Sequence, residues 1–174
     1  VYWNDFLKRG KARKEALAPD NGKGEDVAVI HYSGGTTGLP KGVMLQNFAF
    51  NAMAVQSSEI KPLDTKDTAG KRVLALMPVF HGFGLAMCMH VMLYFGMHVF
   101  LVPKFDFKAC TKLIFKNKIN HVYAVPALFE AFSRSEEIEK SDLSFLEMVA
   151  FSGDKMSDKL HNRMNKYLKN GGST

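Results

Sequence analysis

The chain has 174 residues, 47% hydrophobic and 23% charged, an ordinary balance for one globular unit that excludes a disordered or fibrous polymer. Its formal charge of +6 is compatible with nucleic acid, anionic lipid or a polyphosphate ligand. The densest basic run, Lys8-Arg9-Gly10-Lys11-Ala12-Arg13-Lys14, lacks interleaved aromatics, however, and reads as the solvated end of a helix, so a nucleic-acid partner is not expected.

An amphipathic helix over residues 2–17 opens the chain, and a polar linker, Pro19-Asp20-Asn21-Gly22-Lys23-Gly24-Glu25-Asp26, follows it. These form a leading segment, 1–26, before an organised body, 27–174. The body alternates short apolar runs with helical patterns. Residues 27–32 read as a strand, and Leu45, Phe48, Ala49, Ala52 and Met53 share one helical face; 72–77 is a strand, 83–95 a long apolar helix and 97–102 a strand. Asp106 caps a helix that buries Phe107, Cys110 and Ile114; 121–125 is a strand and Pro126 opens the next helix. Residues 147–151 form the last strand, and Ser157 caps a helix carrying Leu160, Met164, Tyr167 and Leu168, which Gly171 ends. Five strand-then-helix units in succession predict an α/β fold with a mostly parallel sheet covered by helices.

The stretch 84–102 is long enough to be compared with a membrane span, but His90, Gly96 and His98 interrupt it, and it reads as a buried helix followed by a buried strand. Cys88 and Cys110 lie in apolar segments and read as free thiols. No basic-apolar-small leader opens the chain, so a cytoplasmic setting is expected. A start at Val1 and an end at Gly171-Gly172-Ser173-Thr174 give it the look of an excised piece.

In parallel sheets ligands collect at the carboxyl ends of the strands. Three unusual loops are expected there: 33–42, 78–84 and 152–157. The first, Ser33-Gly34-Gly35-Thr36-Thr37-Gly38-Leu39-Pro40-Lys41-Gly42, concentrates four glycines, three hydroxyls and one cation. Glycines let backbone amides approach an anion closely, hydroxyls add short donors, Pro40 stiffens the turn and Lys41 brings a compact charge. The spacing is not that of a Walker loop, because Lys41 follows Pro40 and precedes Gly42. The alternative is a surface hairpin whose threonines bond their own backbone.

Tyr32-Ser33-Gly34-Gly35-Thr36-Thr37-Gly38-Leu39-Pro40-Lys41-Gly42 resembles the phosphate-binding signature of the adenylate-forming superfamily, with Gly34 where a second hydroxyl residue is commonest. Met77-Pro78-Val79-Phe80-His81-Gly82-Phe83-Gly84 is similar to the family's carboxylate and acyl segment. Ala150-Phe151-Ser152-Gly153-Asp154-Lys155-Met156-Ser157 is similar to its adenine-side turn, with Ser152, Asp154 and Lys155 departing from the usual residues. The resemblance, strongest to bacterial fatty acyl-coenzyme A synthetases, implies part of a large N-terminal domain. It assigns ATP phosphate binding to Ser33, Gly34, Gly35, Thr36, Thr37, Gly38 and Lys41, catalysis to Lys41, Thr37 and His81, an acyl pocket to His81, Phe83 and Gly84, and the adenine side to Ser152, Gly153, Asp154 and Lys155. On chain context alone His81, between Phe80 and Phe83, reads as a packed core histidine; the resemblance makes it an orienting and gating residue.

The implied reaction is activation of a carboxylic acid by ATP, with pyrophosphate released, and transfer of the acyl group to coenzyme A. The implied cofactors are ATP, Mg2+ and coenzyme A, and the partners a small carboxylic acid and the nucleotide, with no nucleic acid and no membrane span. No metal ligand is expected in this segment: His31, His90, His98, His121 and His161 lack zinc spacing and read as structural. The family's aromatic-Gly-x-Thr-Glu and Thr-Gly-Asp stretches and its small C-terminal domain are not found, so weak nucleotide binding and no complete turnover are expected of this piece alone. A medium or long-chain fatty acid is the expected substrate, from Met and Phe crowded between 83 and 100 and between 125 and 132, although these also read as ordinary core. An aryl-acid ligase, a luciferase-like oxidase, a peptide-synthetase adenylation module and a non-catalytic scaffold are the alternatives.

Overall fold

The computed structural model describes residues 2–12, 21–34, 38–59 and 65–168. In chain order it contains α1 (Trp3–Ala12), β1 (Val27–Ser33), β2 (Lys41–Gln46), α2 (Asn47–Ser57), α3 (Thr65–Thr68), β3 (Arg72–Ala75) and a π-helix (Phe83–Val91) continued by α4 (Met92–Tyr94). Next come β4 (His98–Leu101), α5 (Phe107–Asn117), β5 (His121–Ala124), α6 (Pro126–Ser133), α7 (Glu136–Glu139), β6 (Met148–Phe151) and α8 (Asp158–Asn165).

β3 to β6 form a parallel sheet in the order β4-β3-β5-β6, with Val73 opposite both Val99 and His121, and Val122 opposite Val149. Successive strand side chains point to opposite faces, and here both faces are covered, which is why these strands read as continuous apolar runs. Val73, Ala75, Tyr123 and Met148 join Ala54, Val91, Met92 and Phe95 in one core layer, while Leu74, Val122, Ala124 and Val149 join Ile114, Phe129, Leu160 and Met164 in the other. Each fully buried side chain of this size contributes roughly 1.5–3 kcal/mol by leaving water.

The local signals hold. The Asp106 carboxylate accepts from the Ala109 amide at 2.8 Å, the Ser157 hydroxyl accepts from the Leu160 amide at 3.2 Å, and Pro126 occupies the first turn of α6. Cys88 and Cys110 are buried free thiols, and burial pushes the Cys88 pKa up to about 12. No described helix is long and apolar enough to cross a membrane.

Two expectations are corrected. The first apolar run does not enter the parallel sheet. β1 instead pairs antiparallel with β2, so the body has four parallel strands and a separate hairpin. Leu45 therefore lies on a strand, opposite Val29, and the helix begins only at Asn47. α2 has no side-chain N-cap; the Asn47 and Phe48 amides donate instead to the carbonyls of Asp26 and Gly24, at 3.0 and 2.8 Å, so the linker satisfies them. The apolar helix expected over 83–95 is wound mostly as a π-helix, a form concentrated at functional sites. The C-terminal part of the opening helix, the Pro19–Asp20 end of the linker and the Gly171 stop lie outside the described residues.

At the amino edge of the sheet a polar clasp joins three strands. Lys71 pairs with Glu147, the Asn120 side chain accepts from the Arg72 amide at 2.9 Å and donates to the Phe145 carbonyl at 3.1 Å, and His121 Nε2 lies 3.9 Å from Glu147. His121 is 2% exposed, and its Nδ1 has no partner among the described residues. Burial lowers its pKa from 6.5 to about 4, against the opposing pull of Glu147. Because the folded value lies below the unfolded one, the unfolded chain takes up a proton first as pH falls. Stability present above pH 6.5 is therefore lost down to about pH 4, by as much as roughly 3 kcal/mol. Urea unfolding at pH 7 and pH 4.5 is expected to show this loss in the native chain, and His121→Phe is expected to flatten it.

Candidate nucleotide and acid site

The strand order reverses direction once. From β3 the chain moves outward to β4 through the π-helix on one face, then α5 carries it back across the other face to β5 on the opposite flank of β3. Connections that leave neighbouring strands toward opposite faces open a crevice at the carboxyl ends of those strands. Two of the expected loops lie at this edge: 78–84 follows β3, and 152–157 follows β6, beside β5.

The 78–84 loop is held from within. The His81 amide donates to the Pro78 carbonyl at 3.0 Å, and the Leu85 amide donates to the His81 carbonyl at 2.9 Å. Gly84 is packed so tightly that an added Cβ would stand 2.0 Å from the Pro78 carbonyl oxygen. Its glycine is thus a steric requirement of the loop. The Phe83 ring, half-buried, packs on Tyr123 of β5 with centroids 6.4 Å apart, rooting the π-helix in the crevice. His81 is exposed, and its Nδ1 accepts from the Phe83 amide at 3.2 Å. That bond leaves Nε2 as the protonated nitrogen of the neutral ring, a donor facing outward from the loop.

The 152–157 turn leaves β6 beside Val125. Gly153 has φ +92, a conformation that L side chains rarely adopt, and an added Cβ there would meet Val125 Cγ1 at 3.6 Å. The Asp154 carboxylate accepts from the Lys155 amide at 2.7 Å, and Met156 is buried, so the polar residues face solvent while the turn stays anchored.

The third loop belongs to the β1–β2 hairpin. Ser33 and Lys41 are direct cross-strand partners, so their side chains leave the same face of the ribbon. Strand alternation puts His31 and Val29 on that face as well. Those two are the half-buried residues of β1, whereas Ile30 and Tyr32 stand outward, 52% and 67% exposed. The packed face lies against the π-helix. His31 Nε2 is 3.8 Å from where a Gly82 Cβ would stand, and Ala28 and Val29 line a hollow of about 290 Å³ with Phe50, Leu85 and His90. Gly38 at the loop's far end has φ +86. Gly35, Thr36 and Thr37 lie outside the described residues.

A second apolar hollow, of about 320 Å³, adjoins the same loop at Pro78, Val79, Phe80 and Leu101. A roomier one, of about 750 Å³, lies between the ends of α6 and α8 around Ser133, Asp142, Arg163 and Lys166 and contains none of the expected site residues.

Residues 3–173 match the family described as AMP-binding enzyme. The chain belongs to that family. It is 37% identical to the long-chain-fatty-acid–CoA ligase of Bacillus subtilis over 121 residues, covering 68% of this chain and 21% of that protein. It is 30% identical to 4-coumarate–CoA ligase 1 of Oryza sativa subsp. japonica over 151 residues, covering 85% and 27%. Its fold matches the inhibitor-bound N-terminal domain of FACL13 from Mycobacterium tuberculosis with a TM-score of 0.78 at 23% identity, over 94% of this chain and 40% of that one. The chain thus spans about a quarter of the length of these curated relatives.

The structure gathers His81, Phe83 and Gly84 at the crevice and sets Ser152, Gly153, Asp154 and Lys155 along its edge, while Ser33 and Lys41 are exposed and paired across the hairpin. Sequence reading missed Tyr123, which supports Phe83, and His31, which lies near the Gly82 turn. The alternation of Val29, His31 and Ser33 was the available signal for the second. Gly84→Ala is expected to destabilise the fold by about 3 kcal/mol or more through the clash with Pro78. Gly34→Ala, with nothing within 4 Å of an added Cβ, is expected to stay within about 0.5 kcal/mol. Denaturant melts of the two variants check the contrast.

Proposed function

We propose that the chain forms the nucleotide- and acid-binding part of an AMP-forming acid–thiol ligase. What supports this reading is the cross-strand pairing of Ser33 with Lys41, on the hairpin face whose His31 lies nearest the Gly82 turn that follows His81.

The chemistry follows from charge. A carboxylate oxygen attacks the α-phosphorus of ATP, and the bond from that phosphorus to the β-bridging oxygen breaks, releasing pyrophosphate. Two anions must meet, so the Lys41 ammonium, the Ser33 hydroxyl and the loop amides offset repulsion and the charge gathering on the departing group. His81, its Nδ1 occupied by the Phe83 amide, donates from Nε2 to the second carboxylate oxygen and aligns the first. In the next step the sulfur of coenzyme A attacks the acyl carbon, and AMP leaves. Gly34, Gly35, Thr36, Thr37 and Gly38 complete the phosphate cradle, and Ser152, Gly153, Asp154 and Lys155 border the adenine.

Mg2+, when bound with the nucleotide, supplies further charge neutralisation. Among the described residues no three His, Cys, Asp or Glu side chains converge to hold a metal, so no step is assigned to it through this chain. Coenzyme A and a cytoplasmic setting belong to the same proposal.

For the acid we favour a medium or long-chain fatty acid, since the hollow beside the 78–84 loop is lined by Met77, Val79, Phe80, Leu101 and Val102. The 4-coumarate–CoA ligase likeness supports an aryl acid as the second reading. Acid-dependent ATP–pyrophosphate exchange, measured on the full-length protein with fatty and aryl acids, tests both. Lys41→Ala is expected to lower exchange by about 100- to 1000-fold with an unchanged thermal melt. Full exchange in that variant contradicts the reading and favours a non-catalytic scaffold.

A further inference from the structure

We propose that the apolar hollow beside the 78–84 loop holds the alkyl tail of the acid, and that Leu101, on the edge strand β4, limits that tail to about ten methylenes. The proposal rests on the ligase reading above and narrows its substrate to medium-chain acids.

The hollows differ in what lines them. The one between α6 and α8 is walled by charged and hydroxyl side chains, Arg163, Lys166, Asp142 and Ser133 among them, and the one beside the hairpin carries Asn47, Asn51 and His90. Neither includes a residue of 78–84. The third has Ala75, Leu101 and Val102 on its strand side and Pro78, Val79 and Phe80 on its loop side, and none of its lining residues is ionisable. Val79, Phe80 and Leu101 are left largely in water around it, 45%, 81% and 52% exposed. Large apolar side chains gathered round one concavity, with a polar group at its border, are what a site for an apolar ligand requires.

The polar group is the next residue along the chain. Pro78, Val79 and Phe80 are the first three residues of a turn that His81 closes, its amide donating to the Pro78 carbonyl at 3.0 Å. A carboxylate held at His81 thus sits at the end of a turn whose other three residues wall an apolar hollow.

Backbone bonds fix those walls. On the strand side the Val102 amide donates to the Ala75 carbonyl at 3.2 Å; on the loop side the bond from His81 to Pro78 and the close packing of Gly84 on Pro78 hold the turn. Side chains then decide the room that is left. Ala75 and Leu101 are register partners in β3 and β4, and Ala75 presents only a methyl group, so Leu101 is the member of that pair that fills or frees space. The volume, about 320 Å³, equals roughly ten times the ~30 Å³ share of a liquid water, and a methylene is of similar size.

The test is ATP–pyrophosphate exchange by the full-length protein with hexanoate, decanoate and hexadecanoate. In the wild type kcat/KM is expected to rise about 4-fold per added methylene up to decanoate and to fall by about 10-fold or more at hexadecanoate. Leu101→Ala is expected to raise the hexadecanoate-to-decanoate ratio by about 10-fold, and Leu101→Trp to lower the decanoate-to-hexanoate ratio by about as much. Val79→Trp narrows the hollow from the loop and is expected to act like Leu101→Trp. Each ratio is taken within one protein, so a variant that folds in low yield still reports the limit. Wild-type ratios in either tryptophan variant overturn the proposal and show that another part of the longer chain, or nothing, fills the hollow. A wild-type preference for hexadecanoate, or exchange with aryl acids and no straight-chain acid, overturns it too while leaving the ligase reading in place. No exchange with any acid overturns both.

Discussion

A parallel sheet must bury both of its faces, and that constraint generates the site. Helices have to leave alternate strands in opposite directions to cover β3 and β5, so the backbone separates at their carboxyl ends and leaves a crevice there. The crevice is a consequence of filling the core. Leu74 and Val73, adjacent in sequence and pointing into different layers, illustrate the coupling: each layer needs its own helices, and the parting of those helices opens the crevice.

The cleft is lined with backbone that cannot readily move. Gly84 lies so close to the Pro78 carbonyl that the chain turns back on itself without space for a side chain, and this pins the loop that presents His81. Phe83 on Tyr123 ties the same loop to the sheet. On the ligase reading we propose, a rigid 78–84 loop suits chemistry in which a carboxylate must be held in line with a phosphorus atom against electrostatic repulsion. The hairpin is a looser partner: it lies outside the parallel sheet and meets the π-helix through one face only. Its position is tied to α2, into which β2 runs directly and whose Asn47 and Phe48 amides bond back to Asp26 and Gly24 ahead of β1. The polar clasp at the amino edge, built on Lys71, Glu147 and His121, sits at the far end of the strands and contributes to stability rather than to chemistry.

The candidate site was partly legible from residue order because each loop carries residues chosen for local reasons. Glycines at 38 and 153 take positive φ, Pro126, Asp106 and Ser157 mark helix starts, and the apolar strands announce their burial. Loops at strand ends in a parallel sheet are brought to one edge by topology alone, which places 78–84 and 152–157 together as expected, whereas 33–42, expected at the same edge, follows a strand of the separate hairpin.

What the sequence determined by itself was the helix-covered parallel α/β class, the helix caps and the identity of the loops, since these depend on periodicity and on local hydrogen bonding; it counted the 27–32 strand into that sheet, which has four strands without it. Tertiary structure alone decided that β1 pairs with β2. Lys41-Gly42-Val43-Met44-Leu45-Gln46 has no strict alternation, and Leu45 falls in register with the helical positions 48, 49, 52 and 53; pairing across the loop selected the strand. It alone decided the π-winding after Gly82 and the placing of His31 near that turn. The second joins segments about 50 residues apart in the chain, and periodicity, which records only near neighbours, carries no trace of it.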